Sequence, residues 1–188
     1  MAKTIACLGS SAGSLGEPAY DAMVEVGRLL AKRVVRVVTG GFGGIGMEAP
    51  ARGVKEAEGV VVGYTMWGKR GNEFLTYTSP QHRESTNTEM QFCLRLGHIL
   101  QSDSFIIARD QWGPGTIMEL LGIINLNLKL WMPSGKGKRL AILTLVQNQN
   151  KDTNIISMIT DGEDWRSCMP LILPTCRPEE AVGWVLGD

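Results

Sequence analysis

The chain has 188 residues, 44% of them hydrophobic, and its 19 Lys and Arg balance its 19 Asp and Glu. A formal charge of zero excludes a broadly basic nucleic-acid or membrane-surface binder, and no apolar run approaches the ~18 residues of a membrane helix. Four cysteines without C-x-x-C spacing (Cys7, Cys93, Cys168, Cys176) read as reduced thiols, and two histidines are too few for a histidine-based metal centre, so no metal is expected. The N-terminal stretch MAKTIACLGSS is too poor in apolar residues for a signal peptide. The expectation is one cytoplasmic domain over residues 1–188.

Thr4 to Leu8 is a short apolar strand, and it ends in Gly9-Ser10-Ser11-Ala12-Gly13. A helix over about Pro18–Arg33 follows, with Tyr20, Met23, Val24, Gly27, Leu30 and Ala31 near helical spacing and a proline in the first turn. Strand, small-residue turn and helix form the first βα unit of a nucleotide-binding sheet. Val34–Thr39 is the second strand. Residues 40–46 then hold five glycines in seven positions: Gly40, Gly41, Gly43, Gly44 and Gly46. Their entropic cost implies close approach of the backbone to a ligand or to another element.

A helix over about Met47–Ala57 is ended by Gly59, and Val60–Tyr64 is a third strand, apolar as in a parallel sheet covered on both faces. Residues 65–85 read as a long loop whose Trp67, Phe74 and Tyr77 either pack it down, the commoner role of such aromatics, or stack on a base. Thr86–Gln101 is a helix whose apolar stripe is Met90, Cys93, Leu94, Gly97 and Leu100. That stripe places Arg95 near the polar flank.

The centre of the chain is DSFIIARDQWGPGTIMELL, residues 103–121. Ser104–Ala108 is a strand, Trp112-Gly113-Pro114-Gly115 a sharp turn, and Thr116 to about Asn125 a helix. Thr116 is a candidate N-cap, and Glu119 three residues on completes a capping box. Such a turn aims backbone N–H groups and a positive helix end at one spot, which favours a phosphate.

Leu128–Met132 reads as another strand, Ser134–Lys138 as a basic turn, and Arg139–Val146 as either strand or helix. Residues 147–157 read as a loop, and Ile155–Ile159 with Trp165 and Met169 as a short extra helix. Leu171–Leu173 is the last strand and Pro178–Leu186 the terminal helix.

The alternation predicts an α/β fold: a single doubly wound, mainly parallel Rossmann-like sheet with helices on both faces. Ligands of such sheets sit at the carboxyl ends of the strands, where the turns at 9–13, 40–46 and 111–116 would meet. The candidate phosphate- or nucleotide-binding residues are therefore Gly9, Ser10, Ser11, Gly40, Gly41, Gly43, Gly44, Gly113, Gly115 and Thr116.

These motifs resemble the LOG-like family, once named for lysine decarboxylase, within the Rossmann-like SMF/DprA/LOG group. The resemblance spans about residues 3–133, with a weaker echo in LILPTCRPEEAVGWVL. Gly9-Ser10-Ser11 is similar to its first glycine-serine turn. Gly40-Gly41-Phe42-Gly43-Gly44-Ile45-Gly46-Met47-Glu48-Ala49 is similar to its GG-x-x-G-x-M-x-A motif, with one residue extra. The GTxxE half of its PGGxGTxxE signature is intact at Gly115, Thr116 and Glu119, while Gln111 and Trp112 replace the proline and first glycine.

The resemblance implies Arg95 and Glu119 as a catalytic pair. It also implies hydrolysis of the N-glycosidic bond of nucleoside 5′-monophosphates, with no cofactor required. The family includes non-enzymes, the molybdenum cofactor carrier proteins, so molybdenum cofactor as a bound ligand is the alternative. The implied partners are a phosphorylated small molecule, nucleotide or pterin, and a second copy in a homodimer or higher homo-oligomer. A DprA-like role on single-stranded DNA fits poorly with a chain of no net basic charge.

Overall fold

Apolar strand segments alternating with amphipathic helices build a single seven-stranded parallel sheet in the computed structural model, which describes residues 2–66, 68–80, 87–109, 113–144 and 166–188. The strands are β1 (Thr4–Leu8), β2 (Arg36–Thr39), β3 (Val60–Thr65), β4 (Tyr77–Pro80), β5 (Ser104–Arg109), β6 (Leu140–Thr144) and β7 (Ile172–Thr175). The helices are α1 (Pro18–Lys32), α2 (Glu48–Glu56), α3 (Thr88–Leu100), α4 (Pro114–Leu126) and α5 (Pro178–Leu186).

The strand order is β4-β3-β2-β1-β5-β6-β7, with every neighbouring pair parallel. The chain fills one wing outward from β1, then returns to lay β5 beside β1. The order reverses between these two strands, and a crevice opens there beyond their carboxyl ends.

The period of two along each strand divides the core. Ile5, Cys7, Val37 and Ile106 face α1, α2 and α5, while Ala6, Leu8, Val38, Phe105 and Ile107 face α3 and α4. Both sheet edges carry a proline: Pro80 ends β4 and Pro174 lies within β7. A residue without an N–H is a poor template for further strand pairing. No helix among the described residues is long and apolar enough to cross a membrane.

Three expectations are corrected. The stretch 65–85 contains β4, a strand too short and too polar to show a period of two. Leu128–Met132 is not a strand: α4 runs directly into a π-helical turn over Asn127–Trp131. The alternation of Leu128 and Leu130 imitates a strand, but the buried Asn127 side chain fixes the turn. Its Nδ2 donates to the Lys138 carbonyl (3.1 Å), and its Oδ1 accepts from the Lys138 N–H (2.8 Å). Trp131 stacks on Phe105, ring centroids 6.0 Å apart.

The third correction concerns α3. The helix buries Gln91, Arg95 and Ile99 and exposes Met90, Cys93 and Leu94. The apolar stripe is real, but it faces outward. Arg139–Val146, open between two readings, contains strand β6. The expected loop at 147–157, the helix at 155–159, Trp165, Trp67, Gln111 and Trp112 lie outside the described residues.

The turn after α1 is strained. Val34 has φ 53° and is 84% exposed, and its N–H donates to the Ala31 carbonyl at 2.9 Å. A β-branched residue in the left-handed region is disfavoured by roughly 1–2 kcal/mol. Part of that is returned by the greater freedom of glycine in the unfolded chain. Val34→Gly is therefore expected to raise stability by about 0.5–1 kcal/mol. An unchanged or lower urea midpoint in the variant would contradict the strain.

Candidate functional site

The first wall of the crevice is the turn after β1. It is held by the glycine-rich loop 40–46, which packs against it backbone to backbone. Ile45 N–H donates to the Ala12 carbonyl (2.9 Å) and Gly46 N–H to the Ser10 carbonyl (3.0 Å). A Cβ on Gly44 would strike the Ser11 backbone, and one on Gly46 would strike Gly9. Glycine is required at both positions for this approach.

The second wall is the start of α4. Gly113 is its N-cap, with no side-chain cap, and the helix begins at Pro114. This corrects the expected cap. Thr116 lies inside the first turn and is buried, so no capping box forms with Glu119, which points inward instead. The first-turn N–H groups of a helix have no partner within it. Among the described residues the N–H groups of Ser10, Ser11, Gly115 and Thr116 donate to no carbonyl or side-chain acceptor.

Arg95 reaches the crevice from the inner face of α3 and is 8% exposed. Its Nε donates to the Tyr64 carbonyl (2.7 Å), and its Nη2 to the Gly40 carbonyl (3.1 Å) with Met47 Sδ at 3.7 Å. Nη1 has no acceptor among the described residues. The Phe42 ring lies under the guanidinium, its centroid 5.5 Å from Cζ. Tyr64 stacks on His98, with centroids 5.3 Å apart. Asn72 Nδ2 holds the Phe42 carbonyl at 2.8 Å. The guanidinium thus ties the ends of β2 and β3 to α3.

Glu119 is 9% exposed, and its carboxyl makes no hydrogen bond or ion pair among the described residues. Burial raises its pKa from 4.5 to about 7, and the nearby Arg95 charge opposes that rise. Burial likewise lowers the Arg95 pKa, and Glu119 opposes that fall. The two groups sense each other through space without a direct bond.

Six of the ten anticipated phosphate residues, Gly9, Ser10, Ser11, Gly113, Gly115 and Thr116, line one cavity of about 230 Å³ together with Arg95 and Glu119. Gly40 reaches it only through its carbonyl bond to Arg95. Gly41, Gly43 and Gly44 lie outside the lining: Gly41 packs on Gly63 and Thr65, Gly43 lies near Glu48, and Gly44 packs on Ser11. Met47 and Pro114 line the cavity without having been singled out, although both stand inside the quoted motifs. A larger cavity of about 590 Å³ at the opposite, amino-terminal rim of the sheet is lined mainly by Ala31, Val34, Val35 and Val60. It brings together no helix N-terminus and no buried charged group.

The sequence model of the SLOG cluster4 family matches residues 2–161. The chain belongs to this family. Among solved structures, this SLOG protein is similar to TM1055, at 27% identity over 99% of both chains with a TM-score of 0.71. It is also similar in fold to the molybdenum cofactor binding protein of the phototrophic bacterium Rippkaea orientalis, at 18% identity over 100% of this chain and 97% of that one, TM-score 0.67. The single-stranded-DNA-binding DNA processing protein A of Helicobacter pylori shares the fold at 13% identity over 99% of this chain and 81% of that one, TM-score 0.64. No curated protein sequence matches.

The raised carboxyl has a thermodynamic signature in the SLOG protein. The folded state keeps the Glu119 proton up to about pH 7, while the unfolded chain releases it near 4.5. Between those values the native state binds more protons, so stability falls as pH rises and the loss is complete above about 7. The shift corresponds to about 3 kcal/mol. Urea titrations at about pH 5 and about pH 8 should show this fall in the wild type and not in Glu119→Gln, other groups being common to both. Equal pH dependence in the two proteins would place the Glu119 carboxyl in contact with solvent.

Proposed function

We propose that this SLOG protein binds a phosphorylated, nucleotide-like small molecule between β1 and β5. We further infer that it hydrolyses the N-glycosidic bond of a nucleoside 5′-monophosphate. The observation that carries the reading is the meeting, in one cavity, of backbone N–H groups and a buried carboxyl that have no hydrogen-bond partner among the described residues. Donor groups from the β1 turn and the α4 N-terminus suit the phosphate. Arg95 Nη1 supplies a directional donor for the sugar or the leaving base.

In the reaction the C1′–N bond breaks with its electron pair going to the base nitrogen. A water oxygen bonds to C1′ and gives one proton to the Glu119 carboxylate, the base nitrogen takes up a proton in turn, and the products are free base and ribose 5-phosphate. Glu119, as the carboxylate, offsets positive charge developing on the ribose and holds the attacking water. Arg95 keeps the substrate in line. No metal or other cofactor takes part in these steps. Incubation with AMP and the other nucleoside monophosphates, followed by chromatography for free base, tests the reading. The absence of free base with every monophosphate would overturn it.

A second reading is a carrier that holds a phosphorylated pterin, such as molybdenum cofactor, by its terminal phosphate. The small volume of the cavity favours it, since about 230 Å³ lies below the ~300–1,000 Å³ of most small-molecule sites and would leave a large pterin mostly outside. The molybdenum cofactor binding neighbour supports it at the level of fold. Tight retention of the phosphorylated pterin without turnover of any monophosphate would select this reading. In either case the partner is a small molecule rather than nucleic acid, in keeping with the zero formal charge. The protein acts in the cytoplasm as a homo-oligomer.

A further inference from the structure

Among the described residues two that are not glycine have positive φ: Val34 at 53° and Glu58 at 57°. Each stands just past the end of a helix, Val34 after α1 and Glu58 after α2. Their N–H groups close those helices on the carbonyls of Ala31 (2.9 Å) and Lys55 (3.1 Å). Glycine is the usual residue in such a turn, because a Cβ is disfavoured in the left-handed region. Strain kept at two equivalent turns points to a use for the side chains themselves.

A second observation is independent of the backbone angles. Both turns line the same cavity, the one of about 590 Å³ at the amino-terminal rim of the sheet. That volume falls within the ~300–1,000 Å³ of most small-molecule sites. Ala31, Val35 and Val60 give it an apolar floor. A Cβ on Gly59 would strike Ala31, so the ends of α1 and α2 are pinned together and the hollow is pre-formed. Register sets Arg36 beside Val60 and Tyr77 beside Val62, and the period of two puts all four on one face of the sheet. Val34, Val60 and Tyr77 are exposed.

The charged residues of the lining are Arg36 and Glu58. They rise from the starts of neighbouring strands, yet neither makes an ion pair, with the other or with a third group, among the described residues. A guanidinium and a carboxylate left open beside an apolar floor are complementary to a zwitterion with an apolar tail.

We propose that this cavity binds a free α-amino acid with a large apolar side chain. Its carboxylate faces Arg36, its ammonium group faces Glu58, and its side chain lies against Val34, Val60 and Tyr77. The cavity is at the opposite rim from the crevice between β1 and β5, so the proposal depends on neither the ligand nor the reaction inferred there.

Isothermal titration calorimetry of the full chain with L-tryptophan, L-phenylalanine and L-leucine tests it. At least one should bind saturably. Its N-acetyl derivative lacks the cation and its carboxamide lacks the anion, and each should bind roughly tenfold or more weakly. Arg36→Gln and Glu58→Gln should each cause a loss of similar size, with far-UV spectra like the wild type. Val34→Gly relieves the strain and removes one apolar wall, so the variant should gain stability while its affinity falls roughly fivefold or more. Saturating AMP should not displace the amino acid. Absence of binding by all three amino acids up to their solubility overturns the proposal. Indole binding as tightly as tryptophan overturns the recognition of charge and leaves a merely apolar hollow. Competition with AMP places the amino acid at the other rim and overturns the site. A Val34→Gly variant that gains stability yet binds as well as the wild type overturns the use assigned to the strain.

Discussion

Replacing Glu119 by glutamine is expected to slow release of free base by roughly 10²–10⁴-fold, the range for loss of a positioned acid–base group. The side chain keeps its shape and its place on α4. It loses the negative charge that offsets the ribose cation and the oxygen that takes up a proton from water. In the proposed site the substrate phosphate is held by backbone N–H groups of other residues, so affinity for the monophosphate should change only a few-fold. The expected result is a fall in kcat with KM nearly unchanged. The wild-type rate should rise as pH passes about 7, where the carboxylate forms, and the variant should lack that limb. A loss of less than about tenfold would remove Glu119 from the chemistry and leave it a buried carboxyl in a binding pocket.

Arg95→Met should destabilise the fold by roughly 2–5 kcal/mol, because it strips buried carbonyls of their charged donor. The methionine fills much of the space but donates nothing. The carbonyls of Gly40 and Tyr64 lose their partner, and each unsatisfied buried acceptor costs roughly 1–3 kcal/mol. Glu119 also loses the neighbouring positive charge, so its carboxyl should titrate still higher than about 7. A urea midpoint shift reports the stability. A variant within about 1 kcal/mol of the wild type would mean that water reaches those carbonyls in the native state.

Much of the sheet could be read from the chain because its strands are continuous apolar runs punctuated by glycine. The second strand and Ser104–Ala108 show this, although Val34 itself falls in the turn before β2, and their parallel pairing follows from the helices between them. β4 could not be read in that way, since Tyr77–Pro80 has neither length nor alternation and owes its pairing to β3. Leu128–Met132 misleads because a π-turn can place leucines two apart.

The residues that line the candidate cavity were legible where a motif fixes a backbone shape, as at Gly9–Ser11 and Gly113–Thr116. It was misread where only periodicity spoke. On α3 the spacing of Met90, Leu94 and Gly97 identifies an apolar face but not which side of the helix meets the sheet. The inward turn of Arg95 depends on acceptors supplied by Gly40 and Tyr64, which are 55 and 31 residues away. Glycines 41, 43 and 44 illustrate the other ambiguity. A glycine-dense loop looks the same in sequence whether it lines a cavity or braces a neighbouring turn that does.

That brace has a kinetic corollary. The β1 turn is locked by its neighbour before any anion arrives, so capture requires no loop to fold and little further ordering of the chain. Recognition should then be lock-and-key in character, with an association rate set by diffusion and steering rather than by a gating motion. A bare inorganic phosphate should occupy the same amides as the phosphate of a complete ligand.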